Sequence, residues 1–399
     1  MPDSKQQLDN ISVLGEISKQ DFLSQYWQKK PLLIRNAIPN YQSPIMPDEL
    51  AGLACHEEVE SRIVLEKDRL APWTVLHGPF YESDFKTLPE THWTLLVQEC
   101  NTHIPEFAML LDQFNFIPNW RVDDIMVSYA VKEGSVGPHI DQYDVFLLQA
   151  MGTRRWQINA AIDTHADFLE DTELRILKNF ESEQEWILEP GDMLYLPPGV
   201  AHYGVALNEC MTVSVGFRAP DYYSLLSAFI DAQYASVNDA FSLPRYEDPD
   251  LTLQDSCGEI SQQSLQKIID ILQNSANKPE QIKNWFGRYI TEPKNSIDPV
   301  VPDVPYTDES LLDACNFQQE IVRLEDARFA YIHRDKDTIQ LFVNGEEFLL
   351  ERSQMLLAPI ICDHRIIPVN DIEEAIKIPE VCKVLVALFN RGYLYFADL

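Results

Sequence analysis

The chain of 399 residues contains no uninterrupted apolar run approaching the roughly 20 residues of a membrane span. Its opening stretch, MPDSKQQLDNISVLG, has no apolar core of the kind a secretory signal requires. Seven cysteines (Cys55, Cys100, Cys210, Cys257, Cys315, Cys362 and Cys382) are scattered, odd in number and never spaced Cys-x-x-Cys. Neither a zinc knuckle nor a disulfide framework is supported, and a reducing cytoplasm fits best. Basic residues are scarce: 31 Lys and Arg stand against 63 Asp and Glu, a formal net charge of -32. Such a chain repels phosphate backbones, which argues against nonspecific nucleic-acid binding. The charge then serves either solubility or encounter with a basic partner. Internal repeats and low-complexity tracts are also lacking.

What is present reads as several domains, as the length demands. Near the start, SKQDFLSQYWQKKPLLIRNAI pairs a helical pattern (Phe22, Leu23, Tyr26, Trp27) with a strand-like PLLIR. From about 120 to 218 come short β-type runs separated by Gly and Pro, including DIMVSYAV, DVFLLQA, RRWQINA and MTVSVGFR. Their spacing predicts an antiparallel barrel or sandwich. From Tyr222 to Tyr289 the periodicity turns helical, with Leu225, Leu226, Phe229 and Ile230 on one face. These helices have little core of their own, so they pack on a second subunit or on another part of the chain. Pro293, Pro299, Pro302 and Pro305 mark a linker. Beyond it, TIQLFVNGEEFLL predicts a hairpin around Asn344-Gly345, and IPEVCKVLVALFNRGYLYF a helix, turn and closing strand. Helices with a small hairpin suggest a winged helix. Residues 301–399 hold 18 Asp/Glu against 9 Lys/Arg, so a protein-contacting or structural role is expected rather than DNA binding.

Chemistry concentrates in GPHIDQYDVF, residues 137–146. Residues two apart on a strand share a face, so His139 and Asp141 point the same way if extended. Alone, the pair is a polar turn before a strand. A second stretch, EPGDMLYLPPGVAHYGVAL, places His202 after a Gly199 turn at the start of another strand, which a barrel can close onto the first pair. Two histidines and one carboxylate on one face form the facial triad of non-heme Fe(II) oxygenases. The other histidines (His56, His77, His92, His103, His165, His333 and His364) have no partner at ligand spacing. Three open iron positions suit a chelating 2-oxo acid, whose distal carboxylate needs a fixed cation. In GTRRWQI, Arg154 shares its face with Trp156 and so points into the barrel. Ser128 in MVSYA is a candidate hydroxyl partner of the same carboxylate.

With SVGPHIDQYDVFLLQAMGTRRWQI and EPGDMLYLPPGVAHYGVA in place, the chain resembles the bacterial JmjC-type ribosomal oxygenases of the cupin superfamily, the ribosomal-protein arginine hydroxylases. FLSQYWQKKPLLI, FNFIPNWRVDDIMVSYAV and YEDPDL extend the likeness over residues 20–252. The resemblance implies an α+β multidomain fold. A double-stranded β-helix JmjC domain with N-terminal α/β elements would span 1–218, a helical dimerisation region 219–292, a Pro-rich linker 293–306 and a winged-helix-like domain 307–399. It implies Fe(II) on His139, Asp141 and His202, with 2-oxoglutarate as cosubstrate anchored by Arg154. It also implies a cytoplasmic homodimer that hydroxylates C3 of an arginine in a basic ribosomal protein, the sixteenth of the large subunit. Gln142, Tyr143 and Asp144 are then candidates to contact the cationic substrate, with barrel packing and turn hydrogen bonds as their alternative role. Two alternatives to the arginine hydroxylase stay open. One is a JmjC oxygenase acting on another residue by histidyl or lysyl hydroxylation or demethylation; the other is a non-catalytic metal-binding cupin regulator.

Overall fold

Strands with period-two burial set the architecture of the first half of the chain. The computed structural model describes residues 12–66, 73–160, 167–170, 172–235, 245–249, 260–294 and 301–397. His165, Cys257, the end of YEDPDL and the centre of the Pro-rich linker lie outside the described residues. The chain divides into two compact units, 1–219 with 363–365 and 220–362 with 366–399.

In the first unit the strands are β1 (Leu32–Ile34), β2 (Ser61–Leu65), β3 (Thr74–His77), β4 (Trp93–Val97), β5 (Val122–Ala130) and β6 (His139–Ile140). They continue as β7 (Asp144–Met151), β8 (Arg154–Asn159), β9 (Gln184–Leu188), β10 (Met193–Leu196), β11 (Ala201–Ala206) and β12 (Cys210–Phe217). One sheet has the order β1-β10-β7-β12-β5-β4-β2-β3 and the other β6-β11-β8-β9. Val145, Leu147, Leu194 and Leu196 of the larger sheet cluster with Trp156, Ile158 and Leu188 of the smaller, so the two sheets face each other. The opposite parity of the larger sheet (Phe146, Leu148, Tyr195, Val213, Val215, Phe217) packs outward against an N-terminal layer. There α1 (Lys19–Gln25), capped by Ser18 Oγ accepting from Asp21 N, seats Phe22 against Phe146 and Tyr195 at 5.5 and 4.9 Å. β1 then adds its edge to β10, as the PLLIR stretch predicts.

The second unit carries α2 (Tyr222–Tyr234), α3 (Gln262–Ala276) and α4 (Pro279–Thr291), followed by β13 (Glu320–Arg323), β14 (Phe329–His333), β15 (Thr338–Val343), β16 (Glu346–Glu351), β17 (Ile366–Pro368) and β18 (Leu394–Phe396). Asn344 and Gly345, both at positive φ, close the β15–β16 hairpin. α4 lies on that hairpin: Phe342 occupies the space a Cβ at Gly287 would need, and Gly345 N donates to Thr291 Oγ1 at 3.1 Å. The helix that the sequence groups with residues 219–292 is thus packed on the C-terminal hairpin. Phe229 of α2 meets Trp285 of α4 at 5.3 Å, yet Tyr222, Tyr223, Leu226 and Leu272 stay exposed. Among the described residues no helix is long and apolar enough to cross a membrane.

Candidate metal and 2-oxo acid site

Two glycine turns bring the expected ligands together. Gly137, at φ +79°, donates its N–H to Ser135 Oγ at 3.0 Å and leads into β6. Gly199, at φ +86°, donates to the Asp141 carbonyl at 2.8 Å, which ties the PPG turn to the loop bearing the carboxylate. β6 and β11 pair so that His139 and His202 are register partners. The Asp141 carboxylate lies 3.8 Å from His139 Nε2 and 3.6 Å from His202 Nε2. One ligand atom from each of the three residues falls within 4.8 Å of the others.

The protonation pattern suits a metal. His139 Nδ1 and His202 Nδ1 lie 2.9 and 3.0 Å from the carbonyls of Gly137 and Val200. A carbonyl only accepts, so each Nδ1 carries a proton, and it is Nε2 of each ring that is turned to the shared centre as the ligand atom. Burial, and then the neighbouring His139, push His202 down to about 4, so its ring is neutral at physiological pH. Beneath it Trp156 fills the space where a Cβ at Gly204 would stand, 2.6 Å from the ring.

One step further along the same face lies Arg154, 4% exposed. Its Nη1 donates to Ser128 Oγ at 3.3 Å and to Thr212 Oγ1 at 3.2 Å, and its guanidinium carbon lies 5.3 Å from the Trp156 ring centroid. Its Nε has no hydrogen-bond partner, and no carboxylate forms an ion pair with it among the described residues. A buried guanidinium with donors to spare fits the distal carboxylate of a 2-oxo acid. Thr212, and Gln149, whose Oε1 accepts from Thr212 Oγ1 at 3.2 Å, complete this polar end of the barrel. Sequence reading missed both, although Thr212 and Ser214 alternate with Met211, Val213 and Val215 in MTVSVGFR.

The three substrate candidates separate. Gln142 and Tyr143 are exposed beside Asp141, and desolvation followed by the Asp141 charge pushes the Tyr143 phenol up. Asp144 departs from expectation. It has the parity of Phe146, so its fully buried carboxylate faces the N-terminal layer, where Tyr195 Oη (2.6 Å), Gln28 Nε2 (2.9 Å) and Arg121 Nη2 (3.3 Å) donate to it. Burial raises its pKa and these three partners hold it back. Of the remaining histidines, His77 bonds Glu173 at 2.9 Å and His92 bonds Glu133 at 2.8 Å, both well away from the ligand trio in partner and exposure.

Inner-face parity supplies one more acidic group. Ser128 meets Arg154, and two inward steps back along β5 lie Met126 and then Asp124. The same two steps separate Ala206, the register partner of Arg154, from His202 on β11. Asp124 therefore stands at the level of the trio on the facing sheet, and its charge is felt at Tyr143.

Known proteins agree with this arrangement. Residues 109–225 match the JmjC domain family and residues 270–395 the ROXA-like winged helix. The chain is 36% identical to the ribosomal protein uL16 3-hydroxylase of Escherichia coli over 94% of this chain and 97% of that protein. It is 37% identical to a probable ribosomal oxygenase of Haemophilus influenzae over 70% of this chain and 69% of that one. A structure of the E. coli ribosomal oxygenase YcfD with cobalt and 2-oxoglutarate superposes with a TM-score of 0.81 at 35% identity, covering 96% of this chain and 99% of that one.

Proposed function

The chain belongs to the JmjC ribosomal oxygenases, and we propose that it hydroxylates C3 of an arginine in ribosomal protein uL16, using Fe(II) and 2-oxoglutarate. The observation that carries this reading is the pairing of the His139–Asp141–His202 trio with an uncompensated Arg154 on one inner face. His139, Asp141 and His202 would hold the iron; Arg154, with the Ser128 and Thr212 hydroxyls, would hold the far carboxylate of 2-oxoglutarate. When bound, the pair supplies dioxygen activation, one oxygen atom going to the substrate carbon and the other to succinate, with loss of carbon dioxide. The rest is positioning. Val145, Leu147, Trp156 and Ile158 keep water from the centre. Asp124 offers the carboxylate that a substrate guanidinium needs, with Tyr143 and Gln142 on the approach.

Incubation of the protein with ribosomal proteins, Fe(II) and 2-oxoglutarate, followed by peptide mass mapping, is expected to place one added oxygen on a single uL16 arginine. A shift on a histidine or lysine instead would replace the substrate assignment. Asp124→Asn is expected to raise the KM for that substrate ~10-fold or more while 2-oxoglutarate binding stays unchanged, because the charge-assisted contact to the substrate is lost while the amide oxygen can still accept from Glu99 N, which Asp124 Oδ2 holds at 3.2 Å.

The exposed Tyr222, Tyr223, Leu226 and Leu272 on α2 and α3 support a homodimer that covers them. Sedimentation of the full chain is expected to give twice the monomer mass, and a monomer at working concentration would end that reading. The acidic winged helix then serves protein contact rather than DNA, in a cytoplasmic enzyme.

A further inference from the structure

The inner face of the smaller sheet carries two orphaned side-chain donors among the described residues, and the proposed reaction uses one of them. Arg154 Nε is the first; Trp156 Nε1, two residues on along β8, is the second. The indole is 5% exposed, and its N–H has no hydrogen-bond partner among the described residues. An indole nitrogen can only donate. A buried donor without an acceptor carries an uncompensated desolvation cost, which a ligand that accepts from it would remove.

The ring is fixed before anything binds. Its Cζ3, Cη2 and Cε3 atoms fill the space of a Cβ at Gly204, the register partner on β11. Val145, Leu147, Ile158 and Leu188 cluster with it. Nε1 is on the opposite edge of the indole, clear of the Gly204 contact. On either side along the same face stand the two groups that hold the reactants. The guanidinium carbon of Arg154 is 5.3 Å from the ring, and the His202 ring is 5.9 Å away. The indole therefore lies between the metal ligands and the buried cation.

A 2-oxo acid brings two carboxylates to this face, which offers two orphaned donors. The distal carboxylate is met at Arg154, where the Ser128 and Thr212 hydroxyls stand 3.3 and 3.2 Å from Nη1. The carboxylate beside the keto carbon goes to the metal, next to His202. A chelating 2-oxo acid gives the metal one oxygen of that group and keeps the other, which needs a donor in a site closed to water. We infer that Trp156 Nε1–H is this donor, and that it holds the carboxylate that leaves as carbon dioxide. The inference rests on the hydroxylase reading for the identity of the cosubstrate. Succinate keeps the distal carboxylate, but its other carboxylate stands at the former keto carbon, one carbon short. The N–H is then orphaned again, so the contact favours cosubstrate over product.

The test reads binding by calorimetry on the full-length protein loaded with Zn(II), which holds the cosubstrate without turnover. Trp156→Phe keeps an aromatic ring on Gly204 and removes the N–H. It is expected to weaken 2-oxoglutarate ~10-fold or more and to leave succinate unchanged. A second reading uses the parent protein, so it stands even where phenylalanine repacks the barrel. The Trp156 indole N–H resonance of the 15N-labelled, Zn-loaded parent, identified by its loss in the variant, should move downfield with 2-oxoglutarate and not with succinate. Equal losses for the two ligands, or none for either, overturn the inference, as does an indole resonance that ignores 2-oxoglutarate. In each of those cases 2-oxoglutarate still binds the parent, and the hydroxylase reading stands. A Zn-loaded parent that binds neither ligand removes that reading, and the inference with it.

Discussion

Asp141→Ala is expected to lose metal binding and turnover together, each by at least ~10²-fold, because even the outer partners of metal ligands are worth ~10–100-fold. The carboxylate stands 3.8 and 3.6 Å from the two Nε2 atoms, and no second acid joins this trio among the described residues. Without it, two imidazoles face each other with ring centroids 4.1 Å apart and bind a divalent cation with no negative charge to offset its own. The loss cannot be ascribed to protonation of His202. That ring already titrates at about 4, and Asp141 is one of the groups that pull it upward, so removing the acid lowers it further. Asp141 is part exposed and packs into no core cluster, so the fold should survive. Cobalt titration followed by absorbance, beside succinate release with the uL16 peptide, reads both losses. A variant that keeps full turnover would remove the metal assignment.

How far the sequence could carry this site follows from where strands begin and end. Parity within one strand was enough for Arg154: Trp156 had to face the core, and the arginine two residues earlier faces it too. His139 and Asp141 come together because Gly137 and Gly199 close turns on either side of them. Nearness in sequence misled at Asp144. It lies just beyond the metal pair, but its parity is that of Phe146 and opposite to Val145 and Leu147, so its carboxylate turns to the N-terminal layer. Thr212 and Gln149 sit on strands whose pairing with each other and with β5 is set by the closed sheet, and nothing local announces which polar residue will meet Arg154. In the second unit, turn chemistry at Asn344-Gly345 predicted the hairpin. The seat of α4 upon it depends on Gly287, which in sequence is only a helix-weakening residue.

Arg154→Met should leave the ligand-free protein at least as stable as the parent while 2-oxoglutarate binding falls ~10²- to 10³-fold. The two halves have one cause. In the free barrel the guanidinium is buried, holds two hydroxyls at 3.2–3.3 Å and has an Nε with no partner. Its desolvation is uncompensated, and burial accordingly pulls its pKa down, though an arginine does not give up the proton. Replacing such a charge by an apolar side chain of similar length is neutral or stabilising by ~1–4 kcal/mol, and methionine can lie along Trp156 where the arginine now does. With 2-oxoglutarate bound, the balance inverts. The carboxylate then meets no cation, and a buried charge without its partner costs about 3–5 kcal/mol, which is the stated loss of affinity. Thermal melting separates the two effects: 2-oxoglutarate raises the transition of the parent in proportion to its binding and should leave that of Arg154→Met unmoved. A variant that binds 2-oxoglutarate as the parent does places the distal carboxylate elsewhere. One that melts far lower without ligand shows instead that the guanidinium holds β5, β8 and β12 together through Ser128 and Thr212. Arg154→Lys discriminates further, since it keeps the charge but supplies no planar fork, so it should recover only part of the affinity.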